Sequence, residues 1–448
     1  MKTAIAFINR RLPVARKMTL TLLAVGLVGS TSLASDGGTR PRPVASLEQK
    51  GAQLLMERVP PKPRLPSDLD LPAFNALARD WAALPKTTHL VRTVHNGVPA
   101  DVAVHEVGTG PRVVVCLHGV FGQSTNWKYI AGALAGDYQL WLPDLPGCGE
   151  SDSLPAGKSG PGGYGPLALA DRVLQALDTR LAARPDVGRF LLAGHSLGGM
   201  VALRMFTDDG LRERYAPVLA RADGLVLFAP CDVVLTQATE EWITVLGLNA
   251  TMVRLGDVTG LLQVAMEKSV RSGFCDPALA TRELAEDGVH LLKDGGHRRG
   301  ARGMMLDAIP FRVFGKVLDW EAVEELEANY QNVPVPCLIV WGHRDQTLTV
   351  SMGYKMKDEI PNARLVVVPQ TMHLLPLERP GICANLIREF DGQLRTGGLP
   401  AAGTVRKLPL GILPTDATLS SGHDLLQPPI PDSTKLDKNL ALGKMLPQ

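Results

Sequence analysis

Eight short apolar runs recur along this chain and constrain its fold more than any other feature. They read "HLVRTVHNG", "DVAVHEVG", "RVVVCLHG", "YQLWLPDLPG", "RFLLAGHS", "GLVLFAP", "PCLIVWGHRD" and "RLVVVPQTMH". The first two alternate apolar with polar residues and stop at turn signals, as an antiparallel edge does. The later runs are almost continuously apolar, which suits parallel strands buried on both faces. Longer amphipathic stretches separate them, among them "GPLALADRVLQALDTRLAARPD" and "GICANLIREFDGQLRTG". Strands alternating with helices predict an α/β architecture: a mostly parallel eight-stranded sheet, flanking helices and right-handed crossovers.

One connection breaks the rhythm. Between Pro230 and Pro336 about a hundred residues hold no convincing strand, only amphipathic segments such as "EEWITVLGLNATMVRLG", "GLLQVAMEKSV" and "DWEAVEELEANYQN". An insertion after the sixth strand predicts a helical cap above the carboxyl ends of the strands. The core then spans 88–230 and 336–397, with the cap at 231–335. Residues 35–87 ("TRPRPV", "RVPPKPRLPSD") form a Pro-rich N-terminal arm, and 398–448 an aperiodic, Pro-rich C-terminal tail. Docking on the fold, tethering to a membrane or envelope, and lack of order are three open readings of these extensions.

Residues 1–34 carry Lys2, Arg10, Arg11, Arg16 and Lys17 and no acidic residue. The run "MTLTLLAVGLVG" and the small residues Ser32 and Ala34 follow, the layout of a secretory signal peptide with cleavage near Ala34. The run falls short of the roughly 20 residues of a membrane span. An uncleaved anchor and an Arg-rich transit peptide are the alternatives. The expectation is an exported protein, whether periplasmic, extracellular or envelope-associated. The whole chain has a net charge of +2, and loss of the leader would leave 42 basic against 45 acidic residues. Neither balance makes a footprint for nucleic acid. Cys116, Cys148, Cys231, Cys275, Cys337 and Cys383 are widely spaced with no CxxC, which argues against a metal or redox framework and leaves disulfide pairing unassigned.

The stretch "LLAGHSLGGM" places Ser196 between an apolar strand and a helix, inside G-x-S-x-G at Gly194–Gly198. Glycines there let the backbone pass close to its neighbours, and the start of a helix favours a developing negative charge. "LHGVFG" follows the third strand and "DLPGCGESD" the fourth. "WGHRDQTL" sets Asp345 just after a strand, and "TMHLLPLERP" sets His373 after the next.

Taken together these pieces resemble the α/β-hydrolase superfamily in its cap-bearing branch, over about residues 88–396. The matching pieces are HG at 118–119, D-x-P-G-x-G at 144–149, GHSLGG at 194–199, WG-x-x-D at 342–345 and H-x-x-x-x-E-x-P at 373–380. The resemblance implies an α/β-hydrolase fold with Ser196 as nucleophile, His373 as general base and Asp345 as its orienting carboxylate. It also implies an oxyanion hole from the backbone N–H groups of Val120 and Leu197. The expected function is a cofactor-independent serine hydrolase acting on small esters with an apolar acyl or alcohol group. Hydrolysis of C–C bonds, lactone opening, acyl transfer and cofactor-free perhydrolysis use the same three residues, and a non-catalytic ligand-binding member is the alternative of a different class.

Other residues have plainer readings. His195 and His343 flank site residues in sequence and are expected apart from them in space, as elbow packing and loop polarity. His118 reads as a hydrogen-bonding turn residue, and Asp232 is the one rival to Asp345. His290 and His297 meet no zinc spacing and read as solvated surface. Trp242, Met252, Met266, Met304, Met305 and Phe311 mix core packing with pocket lining. Glu240 and Glu241 would suit an exopeptidase, but the elbow is not of that type.

Overall fold

The apolar runs become the strands of one twisted sheet. The structure is a computed structural model and describes residues 76–77, 80–155, 163–231, 250–276, 279–308, 311–312, 317–318 and 320–408. The strands are β1 (Lys86–His95), β2 (Val98–Val107), β3 (Arg112–Leu117), β4 (Tyr138–Pro143), β5 (Phe190–His195), β6 (Ala222–Phe228), β7 (Cys337–Gly342), β8 (Ala363–Val368) and β9 (Val405–Lys407). Their order across the sheet is β1-β2-β4-β3-β5-β6-β7-β8-β9. β1 and β2 form an antiparallel hairpin in which His95 faces Val98. Asn96 and Gly97 turn it with φ of 48° and 74°, the positive values that an Asn-Gly hairpin turn supplies at least cost. β2 also runs antiparallel to β4, and every pairing beyond β4 is parallel.

The expectation of eight strands needs a correction. The ninth, β9, comes from the start of the tail and pairs in parallel with β8 through Leu365↔Val405 and Val367↔Lys407. Three residues carry no periodicity; β9 owes its extended form to the free edge of β8, a tertiary cause.

Helices α1 (Lys128–Leu134), α2 (Pro166–Ala183) and α3 (Leu197–Thr207) connect the first six strands. After β6 come α4 (Ala250–Val258), α5 (Leu261–Ser272), α6 (Arg282–Lys293), α7 (Gly295–Asp307), a two-residue hairpin at Phe311–Arg312 and Val317–Leu318, and α8 (Trp320–Ala328). Helices α9 (Val350–Glu359) and α10 (Pro380–Thr396) follow β7 and the His373 loop. The sheet interior and the inner faces of α2, α3 and α10 make one continuous apolar core. The insertion after β6 has its own cluster of Val253, Leu262, Leu291, Leu292 and Ala301.

The insertion is seated on the core at several points. A Cβ on Gly300 would stand 2.8 Å from the Cα of Gly147, so α7 meets the 144–150 loop backbone to backbone. Lys128 of α1 donates to Glu283 of α6 at 3.2 Å. Met304 is fully buried in the main core, Met266 and Met305 pack on the insertion's cluster, and Met252 is exposed. Cys116, Cys148, Cys275, Cys337 and Cys383 are buried, and Cys231 is half-buried. Among the described residues no helix is long and apolar enough to cross a membrane. The expected leader, most of the N-terminal arm, Asp232, Glu240, Glu241, Trp242 and the tail beyond residue 408 lie outside the described residues.

Candidate active site

Strand β5 is buried at all six positions in the middle of the sheet, and it delivers the chain to Ser196. Ser196 has φ 52° and ψ −119°, a conformation that costs a residue with a side chain on the order of 1–3 kcal/mol. The neighbours hold it there. Its N–H donates to Phe228 O at 3.0 Å, and its carbonyl accepts from Gly199 at 3.0 Å and Cys231 at 2.8 Å. The glycines serve close packing, since their own φ values are not positive. A Cβ on Gly198 would lie 2.3 Å from Leu117 O, and one on Gly194 2.5 Å from Gly198 O. α3 starts at the next residue and turns its positive end toward the serine.

Two further loops converge on that point. Asp345 follows β7 and His373 follows β8, and the loops are stitched by Arg344 N–H donating to Thr371 O at 3.0 Å. Gly342 lets the His373 loop cross directly above it: a Cβ there would meet Met372 O at 2.3 Å. His373 Nδ1 lies 2.8 Å from Asp345 Oδ2, and its Nε2 lies 3.0 Å from Ser196 Oγ. The carboxylate only accepts, so the ring proton sits on Nδ1 and Nε2 is free to accept from the serine hydroxyl. Asp345 Oδ1 accepts from the N–H groups of Thr347 and Leu348 at 2.8 and 2.9 Å, which fixes the acid. Ser196, His373 and Asp345 are each 6–7% exposed.

The HG loop closes over the serine. A Cβ on Gly119 would stand 3.0 Å from the Cβ of Ser196, so the backbone that leads into Val120 lies directly against the serine. Among the described residues neither this N–H nor that of Leu197 has an acceptor. Phe121 follows at φ 59° and packs on the insertion's cluster with Met266, Val289 and Met305. His118 Nε2 accepts from Leu145 N–H at 3.0 Å, so its Nδ1–H donates to Gly119 O at 2.8 Å. Burial pushes this imidazole down and holds it neutral. Asp144 receives Ser124 N–H at 2.6 Å, Glu150 N–H at 2.9 Å and His105 Nε2 at 2.9 Å. Burial pushes the Asp144 carboxyl up, but the hydrogen bonds from His105 and from the backbone outweigh it and the group ends below the usual range.

The expectation that His195 stands apart from the site is corrected. Its Nε2–H donates to the carbonyl of His373 at 2.9 Å, and the two rings lie 5.0 Å apart. The side chain of the last residue of β5 is aimed under the neighbouring loop, which adjacency in sequence does not reveal. Burial, then the neighbouring His373, pushes it down to about 3, so it is neutral. His343 is exposed, and His290 and His297 take separate surroundings, the latter facing Gly149 O at 3.1 Å.

Residues 114–386 match the model of the alpha/beta hydrolase family. The chain belongs to that family. This alpha/beta hydrolase is 28% identical to a pimeloyl-[acyl-carrier protein] methyl ester esterase from Nitrosomonas europaea over 282 residues, 61% of this chain and 93% of the relative. In fold it is similar to a putative lipase from Acinetobacter baumannii (TM-score 0.54, 18% identity, 73% of this chain and 98% of the other). It is likewise similar to a serine hydrolase from Cycloclasticus zankles (TM-score 0.52, 18% identity, 69% and 99%).

A cleft of about 400 Å³ in this alpha/beta hydrolase is lined by Arg189, Phe206, Arg212, Asp223 and Pro336. It opens at the amino ends of β5, β6 and β7, the opposite end from Ser196, and takes no part in the site. Sequence reasoning missed three residues that touch the site's loops: His195, Phe121 and Glu378. Glu378 stood in the H-x-x-x-x-E-x-P piece, so a signal was present without a role attached to it.

Proposed function

We propose that this protein is a serine hydrolase that cleaves carboxylic esters through an acyl-enzyme. The observation that carries the reading is the unbroken chain Asp345–His373–Ser196, at 2.8 and 3.0 Å, ending on a strained serine at a helix start. Ser196 Oγ attacks the ester carbonyl while His373 Nε2 takes its proton. Asp345 holds the imidazole in the right tautomer and stabilises the imidazolium. The N–H groups of Val120 and Leu197 receive the charge that develops on the carbonyl oxygen, each worth about 3 kcal/mol of barrier in comparable sites. His373 then protonates the departing alcohol as the C–O bond breaks. In the second half a water gives its proton to His373 and attacks the acyl carbon; the bond to Ser196 Oγ then breaks, His373 returns the proton to that oxygen, and the acid leaves.

Helices α4–α7 act as a cap in this reading, and their apolar cluster favours substrates with an apolar acyl or alcohol group. The esterase and lipase names among similar proteins support the same direction. The leader-like residues 1–34 support export, with hydrolysis outside the cytoplasm. The test is a fluorophosphonate probe together with p-nitrophenyl esters of increasing chain length, amides and lactones. The expected result is labelling and ester turnover by wild type and neither by Ser196→Ala. A folded wild type that takes no label would favour a ligand-binding role instead.

A further inference from the structure

Glu378 takes no step in the reaction above, yet it is fully buried and touches the loop that carries His373. Its Oε2 accepts from the N–H of Met372, the residue before His373, at 2.7 Å. Its Oε1 accepts from the N–H of Cys275 at 2.6 Å, across 103 residues of chain. Asp276 adds a third backbone N–H. Cys275 and Asp276 belong to the turn after α5 of the insertion, which starts at Gly273. That turn also holds the other neighbour of His373. A Cβ on Gly273 would lie 2.6 Å from Leu374 Cδ1, and Leu374 packs with Phe274, Leu279 and Leu377 in a small apolar cluster. Both residues flanking His373 are therefore tied to one turn of the insertion, Leu374 by direct contact and Met372 through Glu378.

We propose that Glu378 is a positioning residue: through Met372 it sets the reach of His373 toward Ser196, and it ties that reach to the seating of the Gly273–Asp276 turn. The proposal rests on the reading of His373 as the general base. A carboxylate suits the task because it can accept every N–H at once, whereas an amide offers only one accepting atom. Burial pushes the group up to about 7, a cost the backbone N–H bonds only partly offset.

The experiment compares wild type, Glu378→Gln, Gly273→Ala and the double variant. The measurements are kcat and KM for p-nitrophenyl acetate, the fluorophosphonate labelling rate, Tm, and the low-field proton resonance of the His373 Nδ1–H. Gln keeps the shape but turns an N–H₂ group against a backbone N–H. The expected result is a kcat and labelling rate lower by about ten- to hundredfold, with KM moved little, and a shifted or broadened resonance. Gly273→Ala, which displaces Leu374, should do the same, and the double variant should lose less than the product of the two. A folded Glu378→Gln with kcat within about twofold of wild type and an unchanged resonance would overturn the proposal, as would fully multiplicative losses. If Glu378→Gln does not fold, Gly273→Ala decides alone on the same criteria. Wild type with neither label nor turnover would overturn the hydrolase reading, and the resonance would still decide on Glu378.

Discussion

Adjacent residues at the elbow carry opposite demands. Ser196 is held in a strained conformation so that its hydroxyl faces His373, while His195 is held neutral so that it can brace the same loop from beneath. The second demand has a pH signature. An unfolded imidazole takes up its proton as pH falls below about 6.5, but the folded His195 does so only near 3. Stability contributed by His195 is therefore complete above 6.5 and is lost as pH falls toward 3. His195→Gln keeps an N–H to donate and removes the titration, so its Tm should fall less steeply than wild type over that window. Equal slopes in parallel melts would show that the acid limb arises elsewhere. At the acid of the proposed triad, Asp345→Asn presents an amide that no longer enforces the Nδ1–H tautomer. Its kcat should drop about a thousandfold or more with the fold intact, whereas Asp232→Asn should keep activity. The reverse pattern would reassign the acid.

At the scale of elements, the eight long strands were legible because each apolar run ends at its own turn signal, from Asn96–Gly97 to Gly342. That Ser196, Asp345 and His373 would meet was legible for a related reason: each follows the carboxyl end of a parallel strand, and those ends lie side by side. β9 was not, because Val405–Lys407 becomes a strand only where β8 leaves an edge open. Nor were the contacts of His195, Phe121 and Glu378, which depend on how loops distant in sequence lie across one another. The glycines of the elbow are legible in both ways, and they can be tested against a neutral site. Gly198→Ala forces a Cβ to 2.3 Å from Leu117 O and should cost about 3 kcal/mol or more in denaturant unfolding. Gly136→Ala meets nothing within 4 Å and should stay within about 0.5 kcal/mol of wild type.

Across the whole molecule, the sheet supplies a frame and the insertion closes on it through separate joints: Phe121 on the HG loop, Lys128 with Glu283, Gly300 on Gly147, and Glu378 beneath His373. The far edge of the frame is guarded by β9. A chain ending at Gly397 should keep its kcat, lie a few degrees lower in Tm and aggregate more readily, because the edge of β8 becomes available for intermolecular pairing. Unchanged melting and solubility would mean that β9 protects nothing. The thiols carry a consequence of another kind. Cys116, Cys148 and Cys337 are sealed in the core and held protonated by burial, so they present no thiolate to an oxidant. These three positions therefore ask nothing of the redox state around the folded chain, and a thiol reagent added to the folded protein should leave all three unlabelled until the sheet opens.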